Sequence, residues 1–133
     1  MKKILMPVDF SISLDIDFLK VFFSENVKFY FLHVNDLEMV DHDYVKESSE
    51  NEFKKLIEPF SKLSIPYESE VIDRKESTVS KTILVKAKEL GVDMVLINSH
   101  GHGVFYEAIV GSVTHDVLKE SNIPVLIMPD TRK

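Results

Sequence analysis

The sequence contains no cysteine, which excludes a disulfide framework, a thiolate metal site and a cysteine nucleophile. Long apolar runs are missing too: nothing approaches the roughly 18 consecutive apolar residues that a membrane-spanning helix needs. Met1-Lys2-Lys3-Ile4-Leu5 has the charge of a signal peptide's start. The apolar stretch then ends at Pro7-Val8-Asp9, with no hydrophobic segment of useful length and no small-residue cleavage site. A cytoplasmic protein without a membrane partner is expected. Basic charge is not in excess either: 16 Lys and Arg stand against 22 Asp and Glu, a net −6, which argues against gripping a nucleic-acid backbone. Repeats, linkers and low-complexity tracts are absent. The 133 residues, 44% hydrophobic and 29% charged, read as a single globular domain covering 1–133.

Glycine is scarce, and its placement is informative. Three of the four glycines fall between Asn98 and Thr114, in Asn98-Ser99-His100-Gly101-His102-Gly103 and Gly111-Ser112-Val113-Thr114. An apolar run, Met94-Val95-Leu96-Ile97, leads into this stretch and a helical pattern leaves it. A strand that breaks into a glycine loop and re-enters a helix at Gly-Ser offers backbone N–H groups to an anion. A nucleotide phosphate is the natural candidate, and a small nucleotide needs only local donors, whatever the net charge.

The rest of the chain supplies the frame. Ile4-Leu5-Met6-Pro7-Val8 reads as a strand buried on both faces. Ser11 or Ser13 is a candidate cap for a helix carrying Ile12, Ile16, Leu19 and Phe23. Val27 to Val34 is a second strand, aromatic and β-branched. The acidic segment Leu37 to Lys46 lacks periodicity and reads as a loop or a frayed helix start. From about Val45 a helix carries Phe53, Leu56, Ile57, Phe60 and Leu63, with Pro59 predicting a kink or an early end. Tyr67 to Ile72 alternates and suits a strand near an edge. From Ser77, Val79, Ile83, Leu84, Ala87 and Leu90 trace a helix ended by Gly91 at its C′ position. Asp93 to Asn98 is a fourth strand. A short helix with Val110, Val113, Val117 and Leu118 follows the glycine loop, and Ile123 to Met128 is a fifth strand.

The alternation of strands and helices implies an α/β fold with an open parallel sheet, right-handed crossovers and helices on both faces. Ligands bind such sheets outside the carboxyl ends of strands, where the strand order reverses. That rule selects Asp9 after the first strand and Asn98 to Gly101 after the fourth.

These residues resemble a small single-domain universal stress protein over essentially the whole chain. The matching pieces are Lys3-Ile4-Leu5-Met6-Pro7-Val8-Asp9, Leu32-His33-Val34, Val92 to Gly101, Gly111-Ser112-Val113 and Ile123-Pro124-Val125-Leu126-Ile127. The family's ATP-binding branch carries Gly, two residues, Gly, nine residues, then Gly-Ser or Gly-Thr; Gly101, residues 102–110 and Gly111-Ser112 match its later part. The resemblance implies a three-layer, five-stranded sheet ordered 3-2-1-4-5, of the adenine nucleotide alpha hydrolase-like kind. It also implies an ATP or AMP site. Asp9 would meet adenine or ribose, and Val34 and Ile97 would wall the adenine. Gly101, Gly111, Ser112 and Val113 would hold ribose and phosphates, with Mg or Mn accompanying the phosphates, and Pro7, Val8, Asn98 and His100 complete the nucleotide-binding set. An anion at such a helix start gains about 0.3–1 kcal/mol from the dipole.

Two departures from the family pattern stand out. Its first glycine is Asn98 here; a Cβ and an amide intrude if the backbone must pass close to the ligand, whereas asparagine is tolerated if only a positive φ is required. The span 102–110 has no Lys or Arg and includes Glu107, so a triphosphate would lean on backbone donors, His102 and a divalent metal.

Other readings of the same residues are available. Asp9 can cap the helix beginning near Ser11, and His33 beside apolar neighbours suits a satisfied structural role. His100 and His102 are spaced to bind metal but have no third ligand in view. Ser99 and His100 do not form a nucleophile elbow. Gly101-His102-Gly103 is not the dinucleotide fingerprint, since Tyr106 occupies the third glycine position, and no Walker sequence is present.

The uncharged fifth strand would lie at a sheet edge, which invites pairing with another chain. The resemblance implies a homodimer through that strand, Pro124 to Met128. Three functions are therefore open: a nucleotide-binding stress or signalling module with slow hydrolysis or none, a dimeric regulatory or scaffold protein whose site has decayed, or a hydrolase using Asp9 or His100 with a metal. No general base stands next to the phosphate loop, which favours occupancy over turnover.

Overall fold

The computed structural model describes residues 1–9, 14–22, 26–35, 42–99 and 112–128, with backbone alone for 42–48. Five strands form one sheet: β1 (Lys2–Pro7), β2 (Val27–Asn35), β3 (Tyr67–Asp73), β4 (Met94–Asn98) and β5 (Val125–Met128). Their order is β3-β2-β1-β4-β5 and every pairing is parallel. The order inferred from the resemblance is the one observed. Four α-helices are described: α1 (Ile16–Leu19), α2 (His42–Ser61), α3 (Val79–Leu90) and α4 (Ser112–Glu120).

Period-two alternation divides the strand side chains between two cores. Ile4, Met6, Phe29, Phe31, Val71 and Leu96 pack against Leu19 of α1 and against Phe53, Ile57 and Phe60 of α2. Leu5, Leu32, Val34, Val95 and Ile97 pack on the opposite face against Ile83 and Ala87 of α3 and Val117 of α4. The first core is aromatic: the Phe60 ring lies 5.0 Å from Phe29, 4.8 Å from Phe31 and 5.7 Å from Tyr67.

Several boundaries differ from the sequence expectation. The first helix is a single α-turn followed by a 3₁₀ turn, Lys20–Phe22, and its cap is Asp15. The Asp15 carboxylate accepts the Phe18 N–H at 3.0 Å, the bond that an N-cap supplies to the orphan donors of the first turn. Ser11, Ile12, Ser13 and Phe23 lie outside the described residues. The cap considered for Asp9, on a helix beginning near Ser11, involves residues outside the described ones.

The second helix begins at His42, three residues before Val45. Its first two turns carry few apolar residues, so periodicity was silent there although the backbone is helical. Pro59 sits exposed in the last turn and the helix runs on two residues to Ser61, so it does not end at the proline. Thr78 rather than Ser77 starts α3, accepting the Lys81 N–H at 3.2 Å. Gly91 closes that helix with φ 64 and ψ 40, the left-handed conformation expected of a C′ glycine. The last strand is shorter than expected and starts at Val125: Pro124 has no N–H to give, although its carbonyl accepts from Val95 at 3.0 Å.

The two edges of the sheet differ. On β3, Glu68 pairs with Lys28 and Glu70 with Lys86 at 2.7 Å. The Glu68 carboxylate, accepting a hydrogen bond from Lys28, raises the pKa of that lysine. Charge along an edge discourages pairing with another chain. By contrast, β5 reads Val-Leu-Ile-Met, with Leu126 38% exposed.

Candidate functional site

A parallel sheet gathers all strand carboxyl ends along one border, so Pro7, Val8, Asp9, Val34, Ile97 and Asn98 come to the same side of the molecule. The pairing of β1 with β4 is short: Ile4 matches Met94 and Leu5 matches Val95. Beyond them β1 continues beside β2, as far as Pro7 opposite Leu32. From Val95 to Asn98, β4 is matched residue by residue with β5, Asn98 lying opposite Met128. The matched pairs of the two strands that flank the reversal of order thus end at Leu5 and Val95, and Pro7 lacks the N–H that would continue the ladder. This is the place where the strand-end rule puts a ligand crevice, at a topological switch point. One lip is Pro7-Val8-Asp9 and the other is Ile97-Asn98-Ser99.

Local bonds fix the first lip. The Val8 N–H donates to the Leu32 carbonyl at 2.8 Å. The Val8 carbonyl lies 2.9 Å from His33 Nδ1; a carbonyl only accepts, so Nδ1 carries the proton. His33 is buried and fills the structural role expected of it. No peptide bond among the described residues is cis, and in a trans peptide the C=O and the next N–H point in opposite directions. Because the Val8 carbonyl is turned towards β2, the Asp9 N–H is turned towards β4 and the crevice. Asp9 itself is half-buried.

On the second lip, Asn98 is a half-buried strand residue. Among the described non-glycine residues, positive φ occurs at Ser64 and Lys75 and not at Asn98. The backbone at 98 thus makes no demand that only glycine meets, and the difference from the family pattern reduces to side-chain bulk. Ser99 is buried, and its N–H donates to the Met128 carbonyl at 2.8 Å. Ser112 is exposed as the first residue of α4, Val113 packs against the core beneath α3, and Thr114 is 3% exposed. The Thr114 hydroxyl donates to the Asn98 carbonyl at 2.7 Å, which ties the start of α4 to the end of β4. Sequence reasoning missed Thr114, because a bond spanning 16 residues leaves no periodic signal.

A buried polar group lies beside this border. Asn35 donates to Asp73 at 3.2 Å and accepts from the Ser49 hydroxyl at 3.0 Å, joining the ends of β2 and β3 to α2. His100, Gly101 and Gly111 fall outside the described residues, as do His102 and Glu107. Among the described residues no cluster of three or more His, Asp or Glu groups could hold a metal ion, and no helix is long and apolar enough to cross a membrane.

Strand order and helices on both faces place the fold among the adenine nucleotide alpha hydrolase-like α/β proteins. The model of the universal stress protein family matches residues 1–129, and the chain belongs to that family. Universal stress protein MJ0577 of Methanocaldococcus jannaschii is 45% identical over 42 residues, which are 32% of this chain and 26% of that protein. The matched stretch is thus well under two thirds of that relative's length. The solved structure of MJ0577 superposes over 99% of this chain and 98% of its own, with a TM-score of 0.82 and 26% identity. An Archaeoglobus fulgidus universal stress protein in complex with dAMP shares the fold at a TM-score of 0.70 and 19% identity, covering 96% of this chain and 97% of its own. A further universal stress protein, in complex with cAMP, does so at 0.72 and 14%, covering 96% of each chain.

Proposed function

We propose that this universal stress protein is a stress-response or signalling module that holds ATP or AMP across the carboxyl ends of β1 and β4. The observation that carries the reading is the strand order β3-β2-β1-β4-β5, which reverses between β1 and β4 and ends their matched pairs at Leu5 and Val95, with Asp9 after one strand and the start of α4 tied to the end of the other. The site comprises Pro7, Val8, Asp9, Val34, Ile97 and Asn98, Ser112 and Val113, together with His100, Gly101 and Gly111 of the intervening loop. A hydroxyl at the start of a helix, with the helix dipole behind it, favours phosphate there. Two fold relatives in complex with dAMP and cAMP illustrate the ligand class that this architecture accommodates. The crevice suits a bound nucleotide better than a reaction, so hydrolysis is slow or absent, and Mg or Mn enters with the phosphates.

Calorimetric titration of nucleotide-stripped protein with ATP, ADP and AMP, each with Mg²⁺ or Mn²⁺, is the direct test. Saturable heat with at least one of them is expected. Silence with all of them leaves the dimeric regulatory or scaffold protein, its site lost through Asn98 and Glu107, as the surviving function.

The reading includes a cytoplasmic homodimer formed through β5. Its support is the contrast between edges: β3 is lined with charge pairs, whereas β5 is uncharged and exposes Leu126. Two β5 edges related by a two-fold axis would complete each other's backbone pairing. Sedimentation at micromolar concentration should give a dimer, and Leu126→Lys should shift it towards monomer. A monomeric unaltered protein would remove this part of the proposal.

A further inference from the structure

Resting on that nucleotide reading, we infer that Thr114 is a positioning residue which makes the crevice selective for phosphate-bearing nucleotides over the nucleoside.

The argument begins with the peptide joining Asn98 to Ser99. Its N–H is committed to the Met128 carbonyl on β5, at 2.8 Å. The peptide is trans, so its C=O is directed away from β5, towards the side on which β1 lies. The matched pairs of β1 and β4 end before that level, at Leu5 and Val95. Left alone, the carbonyl would direct its lone pairs and partial negative charge into the crevice where the phosphates are to sit. The donor that meets it is Thr114, whose hydroxyl lies 2.7 Å away on a residue 3% exposed. The bond removes an acceptor from the path of the anion. It also sets the first turn of α4, with Ser112 at its start, at a fixed height above β4.

A core threonine with no such task would lower affinity for every ligand alike when altered, through loss of fold. A threonine that caps this carbonyl acts on the charged part of the ligand alone. Adenosine and AMP differ by the phosphate and so separate the two cases.

Thr114→Val keeps the shape and deletes the donor. Calorimetry should then show AMP binding weakened about tenfold or more, the effect of exposing one unpaired polar group to the ligand, while adenosine changes by less than about twofold. Thr114→Ser, which retains the hydroxyl, should return AMP affinity to within about threefold of the unaltered protein. Equal losses for AMP and adenosine, no loss for either, or failure of Ser to rescue would each overturn the inference while leaving nucleotide binding intact. If the unaltered protein takes up neither AMP nor adenosine the inference falls, and if it takes up no ATP or ADP either the functional reading falls with it. Should Thr114→Val not fold, the unaltered, isotope-labelled protein provides the test. The Asn98 carbonyl carbon resonance should move on adding AMP and stay in place with adenosine, and an identical response to both overturns the inference.

Discussion

Replacing Ser112 with glutamate should weaken ATP binding by roughly two orders of magnitude while leaving the melting temperature unchanged or slightly raised. The two effects separate because the substitution acts oppositely on ligand and fold. Ser112 is the exposed first residue of α4, where a carboxylate interacts favourably with the helix dipole, by about 0.3–1 kcal/mol. A bound triphosphate would lose the hydroxyl donor and face a new negative charge. At about 4 Å and an effective dielectric near 20 that repulsion approaches 4 kcal/mol, and partial screening leaves about 3 kcal/mol. Ser69→Ala, exposed on the far edge strand, is the matching control and should change nothing. Calorimetry paired with a thermal melt reads both quantities; undiminished ATP binding in the glutamate variant would place the phosphates away from α4.

Phe60→Ala should cost about 3–5 kcal/mol, the usual range for deleting a buried aromatic ring. Phe60 is fully buried and touches Phe29, Phe31 and Tyr67 with its ring, so α2 loses ring contacts to both β2 and β3 at once. Against a typical total of about 5–15 kcal/mol, the loss is a large fraction of stability. For a domain of this size it corresponds to a fall of about 10–20 °C in Tm. Val85, 57% exposed on α3, makes the comparison: Val85→Ala should stay within about 0.5 kcal/mol. Urea titration of the three proteins checks this, and a Phe60→Ala midpoint close to that of the unaltered protein would contradict the packing described.

The strands were legible in the sequence because burial on both faces writes them as short continuous apolar runs. Ile4 to Val8 and Met94 to Ile97 contain little else. The order of the strands was not written in that way; it came with the resemblance to universal stress proteins, and the structure has the same order. Helix starts were the least legible. Asp15, Thr78 and His42 begin or cap helices whose apolar periodicity shows only later, and in α2 the first clear apolar position is Phe53. At the site, the strand-end rule brought out Asp9 and Asn98 from local sequence alone. It could not bring out the partners that orient them. His33 reaches Val8 across 25 residues and Thr114 reaches Asn98 across 16. Contacts of that span depend on which strands lie side by side, which is a property of the assembled sheet.

The short match between β1 and β4 also bears on the mechanics of the molecule. Strand β2 is matched with β1 from Val27 to Leu32 and with β3 from Phe29 to Asn35, so β3, β2 and β1 form one stiff panel; β4 and β5 form another. Between them run the pairs Ile4 with Met94 and Leu5 with Val95, reinforced at the amino end by the Asp93 N–H on the Lys3 carbonyl and the Asp93 carboxylate on the Lys3 N–H, each at 2.8 Å. The matched pairs of the seam thus lie at its amino end, and a ligand held beyond Leu5 and Val95 would span both panels like a rivet, on a border of the sheet distinct from its two edge strands.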